Sequence, residues 1–86
     1  MPRRRRSNIS GARIRQARRR AGQKQVELAA SLSVSHGLQF NQSDISEIER
    51  GVRGVKDMEL DAIARVLDVS PCWLLGRSVP MDSGRP

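Results

Sequence analysis

The sequence predicts an all-α domain of five short helices, and three observations support this fold class. Apolar residues recur at helical spacing, most regularly at Leu60, Ile63, Ala64 and Leu67. Residues that favour helix starts precede several of these blocks, as Asn41 does before one of them. Glycines, which adopt the left-handed conformation that ends a helix, follow four of the blocks, at Gly22, Gly37, Gly51 and Gly76.

Basic charge is concentrated at the start of the chain. Residues 1–24 carry ten basic and no acidic side chains, whereas residues 25–86 carry six basic and nine acidic ones. The net charge of +7 therefore divides into +10 before residue 25 and −3 after it. Basic segments of this density are typical of proteins that bind polyanions such as nucleic acids.

Residues 1–7 form a basic arm that contains Arg3, Arg4, Arg5 and Arg6. Four adjacent like charges repel one another, so we expect the arm to be disordered when free. Its expected partner is the phosphate backbone of a nucleic acid, or a narrow A·T-rich minor groove whose potential attracts arginine. Two alternatives are a solvated tail and an organelle transit peptide, although the segment is short and lacks apolar periodicity before Ile9.

The first two helices are predicted from residues 8–10 to Ala21 and from Gln25 to about Gly37. Each has a narrow apolar stripe that would face a core, while Arg13, Arg15, Arg19 and Arg20 would point outwards. The predicted core positions are Ile14, Ala17, Ala21, Leu28, Ala29 and Leu32, with Val34 as a candidate to extend them.

The third helix is the most clearly delimited segment of the sequence. Asn41 is a favourable N-cap, Asp44 stands at N3 where a carboxylate can complete a capping box, and Gly51 terminates the helix. Ile45 and Ile48 form a thin apolar stripe, and Phe40 is placed to pack on Ile45. The remaining side chains are polar: Gln42, Ser43, Ser46, Glu47 and Arg50.

A polar face of this kind suits the DNA major groove, where amides, hydroxyls and carboxylates read base edges. The alternative is an ordinary amphipathic surface helix. The loop that follows is basic, and its Arg53 and Lys56 are expected to contact phosphates or else to lie in a solvated loop.

The C-terminal part is predicted to contain two more helices. The fourth runs from about Asp57 to Asp68, and the fifth is a single turn that starts at the cap Ser70 and Pro71. Trp73, Leu74 and Leu75 lie on that turn, which cannot hide all three side chains. We expect Trp73 to be exposed as a dimer contact, with burial in the core as the alternative. Residues 77–86 are predicted to be a flexible tail.

The sequence gives little indication of catalysis, of a metal site or of a cofactor. It contains neither a Ser/His/Asp set nor a glycine-rich phosphate loop, and His36 has no partner at metal-ligand spacing. The single cysteine, Cys72, cannot form an internal disulfide and fits a reducing compartment. No apolar run is long enough to cross a membrane. We expect no enzyme activity, no catalytic residue, no metal and no cofactor.

Four blocks of sequence, in order, carry a family resemblance. They are Ile14-Arg15 with Arg18 and Gly22, then Gln25 to Ala29, then Ile45 to Gly51, then Leu60 to Ser70. This pattern resembles the lambda-repressor-like DNA-binding domain of the Cro/CI or Xre type. The resemblance covers about residues 9–76 and implies a helix-turn-helix domain over residues 8–76, flanked by the arm and the tail.

The resemblance also implies roles for individual residues. Gln42, Ser43 and Glu47 match base-contacting positions of the recognition helix. Gln25 matches a glutamine that contacts a phosphate and braces the first recognition-helix side chain, here Gln42. Arg18 and Glu49 would form a partly buried ion pair. The DNA phosphate-contacting set is expected to be Arg3, Arg4, Arg5, Arg6, Lys24, Gln25, Arg53 and Lys56.

Three features depart from the family pattern. The stretch from Leu32 to Ile45 is several residues longer than a tight turn allows, so a longer helix or loop is expected there. Lys24 stands where a capping side chain is common, but it offers a phosphate contact. Glu47 is an acid at a base-reading position; it can accept from a cytosine amino group or repel nearby phosphates.

The leading functional hypothesis is a sequence-specific transcriptional regulator, acting as a repressor dimer on a palindromic operator in double-stranded DNA. A second is an antitoxin-type protein that also binds a partner toxin. A third is a basic RNA-binding protein, which the scarcity of aromatic residues disfavours. We expect a cytoplasmic, nucleoid-associated protein, bacterial or phage-encoded, with no membrane association.

Overall fold

A computed structural model of the protein describes residues 9–82 and confirms the all-α fold. Within these residues the helices are α1 (Gly11–Arg20), α2 (Gln25–His36), α3 (Gln42–Glu49), α4 (Asp57–Leu67) and α5 (Pro71–Leu74). Residues 1–8, with the predicted arm of Arg3, Arg4, Arg5 and Arg6, and residues 83–86 lie outside the described residues.

The ends of α3 are fixed by the residues that the sequence singles out. The Asn41 side-chain oxygen accepts from the Asp44 backbone N–H at 3.0 Å, and the Asp44 carboxylate accepts from the Asn41 N–H at 3.0 Å. These two bonds satisfy donors that would otherwise be unpaired at the helix start. At the other end Gly51 has φ of +76°, a conformation that costs glycine little.

The apolar stripes of the helices meet in one core. Its most fully buried side chains are Ile14, Leu28, Leu32, Ile45, Ile48, Ile63 and Leu74. Two predicted core positions are wrong: Ala21 is exposed, and Val34 is 86% exposed. Ala21 lies just beyond the end of α1, and Val34 is two residues after Leu32, which places it on the opposite side of α2.

The long connection between α2 and α3 is divided between helix and loop. α2 continues to His36, and Gly37 then ends it with φ of +66°. The Leu38 N–H donates to the Leu32 carbonyl, and Phe40 is buried in the core just before the α3 cap. The extra residues therefore extend α2 and add a loop that is packed on the domain, while α2 and α3 stay in direct contact.

Within the predicted tail, the structure docks residues 81 and 82 against the domain. The Ser70 N–H donates to the Met81 carbonyl at 2.8 Å, and Val69 pairs with Asp82 in an antiparallel bridge. Met81 also packs against the core. An apolar side chain and two backbone groups thus hold the segment to the end of α4, a long-range pairing that composition alone does not indicate.

The expectation that Trp73 is exposed is also wrong. Its side chain is 8% exposed and belongs to the core, whereas Leu75 on the same turn is 43% exposed. The guanidinium of Arg13 lies 4.8 Å from the centre of the indole ring, and its Nη1 donates to the Trp73 carbonyl at 2.8 Å. An arginine expected to face solvent therefore covers the ring, since a guanidinium stacks well on indole.

Candidate nucleic-acid interface

The two sides of α3 differ sharply in burial. Ile45 and Ile48 are fully buried against the other helices, and Glu49 is 7% exposed. On the opposite side, Gln42 and Ser43 are exposed in the first turn. A shallow polar hollow on this outer side is lined by Gln42, Ser43, Ser46, Glu47 and Arg50. The outer side thus offers amide, hydroxyl, carboxylate and guanidinium groups to a partner.

A buried ion pair joins α1 to the C-terminal end of α3. Arg18 Nε lies 2.5 Å from Glu49 Oε2, and Arg18 Nη2 donates to Glu49 Oε1 at 3.0 Å. The hydrogen bond to Glu49 raises the pKa of Arg18; burial opposes the rise, and the Glu49 charge adds to it. Arg18 Nη1 also donates to the Gln23 carbonyl at 2.7 Å. A two-point contact of this kind fixes direction as well as distance between α1 and α3.

Gln25, the first residue of α2, connects this buried pair to the surface. Its Nε2 donates to Glu49 Oε1 at 3.1 Å, and its Oε1 accepts from Gln42 Nε2 at 3.4 Å. The structure therefore brings four of the site residues singled out from the sequence, Arg18, Gln25, Gln42 and Glu49, into one continuous row across α1, α2 and α3.

Arg53, which is expected to contact phosphate, makes several contacts within the domain. Its Nη1 and Nη2 donate to the two carboxylate oxygens of Glu59 at 3.3 and 3.1 Å, and Nη1 also donates to the Gly54 carbonyl. The guanidinium lies 5.2 Å from the centre of the Phe40 ring. The pKa of Arg53 is raised, first by the hydrogen bond to Glu59, with burial acting against it. Arg53 therefore ties the loop after α3 to α4.

Glu59 is a residue of this region that the sequence interpretation missed. Burial is the largest influence and raises its pKa, but bonds from Arg53 and from the Lys56 N–H, with the charges of both residues, leave the pKa lowered overall. The sequence spacing could have identified Glu59, because it stands three residues after the N-cap Lys56, where a glutamate completes a capping box.

The remaining predicted phosphate contacts lie at helix starts. Lys24 and Lys56 are the N-caps of α2 and α4, and both are exposed. Neither side chain can accept a capping bond as Asn or Ser does, and the backbone N–H groups of Lys24 and Lys56 donate to Glu27 and Glu59. Both ammonium groups remain at the surface next to helix N-termini, where backbone N–H groups also favour anions.

Comparison with known proteins identifies the fold family. Residues 11–73 match the family model described as a helix-turn-helix domain. The chain belongs to this family. The match confirms the helix-turn-helix resemblance drawn from the sequence motifs. No curated protein matches the chain. Helix-turn-helix domains bind DNA with the second helix of the motif in the major groove.

Between residues 9 and 82, no helix has both the length and the apolarity needed to cross a membrane. Over the same stretch, His, Cys, Asp and Glu side chains do not gather in groups of three or more that could hold a metal ion. Cys72 is exposed, and its thiol is free.

Proposed function

We propose that this helix-turn-helix domain is a sequence-specific transcriptional regulator that represses from a palindromic operator as a dimer. α2 and α3 form the DNA-binding motif, and α3 enters the major groove. The observation that carries the proposal is the division of α3 into a buried inner side and an outer side whose polar groups are unburied. The family match supports it independently.

Within that proposal, Gln42 and Ser43 contact bases from the first turn of α3, and Glu47 contacts a base from the next turn. Gln42 is suited to adenine, whose N6 and N7 match the amide donor and acceptor. Glu47 is suited to the amino group of cytosine. Lys24, Gln25 and Lys56 contact phosphates beside the groove, joined by arginines of the N-terminal arm. Arg53 supports the loop through Glu59 rather than serving mainly as a phosphate ligand.

Dimerisation is assigned to the C-terminal end of the domain. Leu75 and Val79 are both exposed there, at 43% and 39%. Exposed apolar side chains are typical of contact surfaces. Two copies related by a two-fold axis would place two α3 helices on successive major grooves of a palindromic site.

The test of the main proposal is selection of bound sequences from a random duplex pool at moderate salt. We expect an inverted repeat whose half-sites lie one helical turn, about 10 bp, or a multiple apart. An Arg65→Ala variant, altered on the exposed side of α4, is the control and should select the same sequence. Failure to enrich any duplex, or preferential binding to RNA, would overturn the proposal. A selected site placed over a promoter should lower transcription.

Dimerisation is tested by sedimentation of Leu75→Glu with and without the selected duplex. We expect the variant to remain monomeric where the parent associates, because a charge would be buried without a partner. Val34→Glu is the matched control, since Val34 is also apolar and exposed but lies on α2. Equal association of Leu75→Glu and parent would remove this end as the dimer contact.

A further inference from the structure

Three of the five arginines of α1 have partners inside the domain. Arg13 donates to a carbonyl of α5, Arg18 pairs with a carboxylate of α3, and Arg20 donates to a methionine sulfur in the segment after α5. The other two, Arg15 and Arg19, are exposed. Between residues 9 and 82 the ion pairs involve other arginines, so no acidic side chain in that range neutralises Arg15 or Arg19.

Arg15 and Arg19 lie on one side of α1. Four residues along a helix correspond to a rotation of about 400°, so the two side chains point within roughly 40° of each other. Like charges at this spacing destabilise a helix, and α1 contains no acidic residue to offset them. The pair is therefore unfavourable for the chain alone, and an anionic partner outside the chain would relieve the repulsion.

This side of α1 adjoins the start of the helix-turn-helix motif. Arg15 and Arg19 are rotated by about 60° and 100° from Arg18, both in the direction away from the core. Arg18 itself donates to the Gln23 carbonyl, one residue before the exposed Lys24. The two arginines therefore flank the side of α1 that meets the start of α2, and they extend the basic surface that begins at Lys24.

We propose that Arg15 and Arg19 bind phosphates of duplex DNA and extend the DNA contact from α2 and α3 onto α1. This inference rests on the proposed function. Neither residue belongs to the phosphate-contacting set that the family resemblance implies. A guanidinium stays charged near neutral pH and can donate two N–H groups to one phosphate. Such contacts position a protein on the duplex without reading its sequence.

The central test is the double variant Arg15→Gln with Arg19→Gln in the full chain. Both side chains are exposed and glutamine is favourable in helices, so the thermal midpoint should equal or exceed that of the parent. The slope of log K against log salt should flatten by about 1.8, since two phosphates contribute about 0.9 each. All base preferences should be retained.

The matched control removes two positive charges from other elements. Arg65→Gln with Arg77→Gln also lowers the formal net charge from +7 to +5, but these exposed arginines lie on α4 and after α5. The slope for this control should stay close to that of the parent, because salt screens charges that do not touch the DNA. A third variant, Arg15→Lys with Arg19→Lys, keeps both charges and should retain the parent slope.

Duplexes that carry one neutral methylphosphonate at a time locate the contact. In the parent, a methylphosphonate at a phosphate bound by Arg15 or Arg19 should lower affinity several-fold. The same duplex should show no further loss with the double glutamine variant, because the partner of that phosphate has already been removed.

Three results would overturn the inference while the proposed function stands. They are a parent-like salt slope in the double glutamine variant, equal flattening in the Arg65 and Arg77 control, and the same methylphosphonate pattern in variant and parent. The first would leave Arg15 and Arg19 as a solvated side of α1, and the second would leave only long-range charge. A parent protein that selects no duplex sequence would overturn the proposed function as well.

Discussion

The two sides of α3 each carry a glutamate, but the two carboxylates lie in opposite environments. Glu47 and Glu49 are two residues apart, yet Glu49 is buried and paired with Arg18, whereas Glu47 lines the polar hollow. Two residues along a helix correspond to a rotation of about 200°, so neighbours in sequence face opposite ways. The inner carboxylate is committed to holding α3 in place, and the outer one is available to a partner.

This difference gives each side its own expected phenotype. Changes on the inner side should lower the stability of the domain, and binding should follow from that loss. Changes on the outer side should alter what is bound while leaving the fold intact.

The largest effect is expected for Arg18→Ala on the inner side. The change leaves the Glu49 carboxylate buried without its ion partner, which costs roughly 3–5 kcal/mol for a truly buried pair. Thermal or denaturant unfolding should show a clear loss of stability. Arg65→Ala is the matched control, because its pair with Asp61 has an N–O distance of 3.0 Å but side chains that are 60% and 57% exposed. Arg65→Ala should lower the free energy of unfolding by at most about 0.5 kcal/mol. Equal costs for the two variants would contradict the division.

The second effect concerns the basic arm, which would add charge to DNA binding without contributing to the outer side of α3. Deleting residues 2–6 removes Arg3, Arg4, Arg5 and Arg6. If two to four of them bind phosphates, the slope of log K against log salt should flatten by roughly 2–4 units, since each phosphate contact contributes about 0.9. Affinity should be measured at several salt concentrations. Superimposable slopes for parent and truncation would exclude the arm from DNA binding.

The third effect concerns base reading from the outer side. Gln42→Ala should relax specificity at one base pair per half-site by about 1–3 kcal/mol, since it removes a bidentate contact. Gln42 is exposed, so the unfolding midpoint should stay within error of the parent. Competition between duplexes that differ at single positions is the measurement. A retained preference at every position would remove Gln42 from base readout.

The smallest effect is expected at the Arg53–Glu59 pair, which is less buried than Arg18–Glu49, with side chains 30% and 12% exposed. The pKa of Glu59 lies below its ordinary value of 4.5, so its ionised form stabilises the fold above that pH. The contribution is lost as pH falls through the lowered pKa.

Glu59→Gln should therefore unfold more easily than the parent at neutral pH. The difference in unfolding free energy should be constant above pH 4.5 and should shrink below it. Other carboxylates titrate in both proteins and cancel in the difference. A difference that grows on acidification would contradict the lowered pKa of Glu59.

Local chemistry was enough to predict most of the secondary structure. The capping box of Asn41 and Asp44, the proline start of α5 and the terminating glycines depend on a few adjacent residues, so their signals survive in sequence alone. The core stripes of α3 and α4 were predicted for the same reason. The errors at Ala21 and Val34 arose where a predicted stripe was continued past the helix end or onto the opposite side.

The sequence by itself thus determined five helices, a helix-turn-helix motif and a polar outer side on α3. Only the tertiary structure decided which partners the long side chains contact. Arginine side chains are long enough to reach another element, so Arg13 covers Trp73, 60 residues away, and Arg53 in the loop binds Glu59 on α4. No local pattern indicates either contact. The docking of Met81 depends likewise on a surface assembled from distant residues. The hydrogen bonds that link Arg18, Glu49, Gln25 and Gln42 likewise require α1, α2 and α3 to meet, a geometry that exists only once the chain has folded.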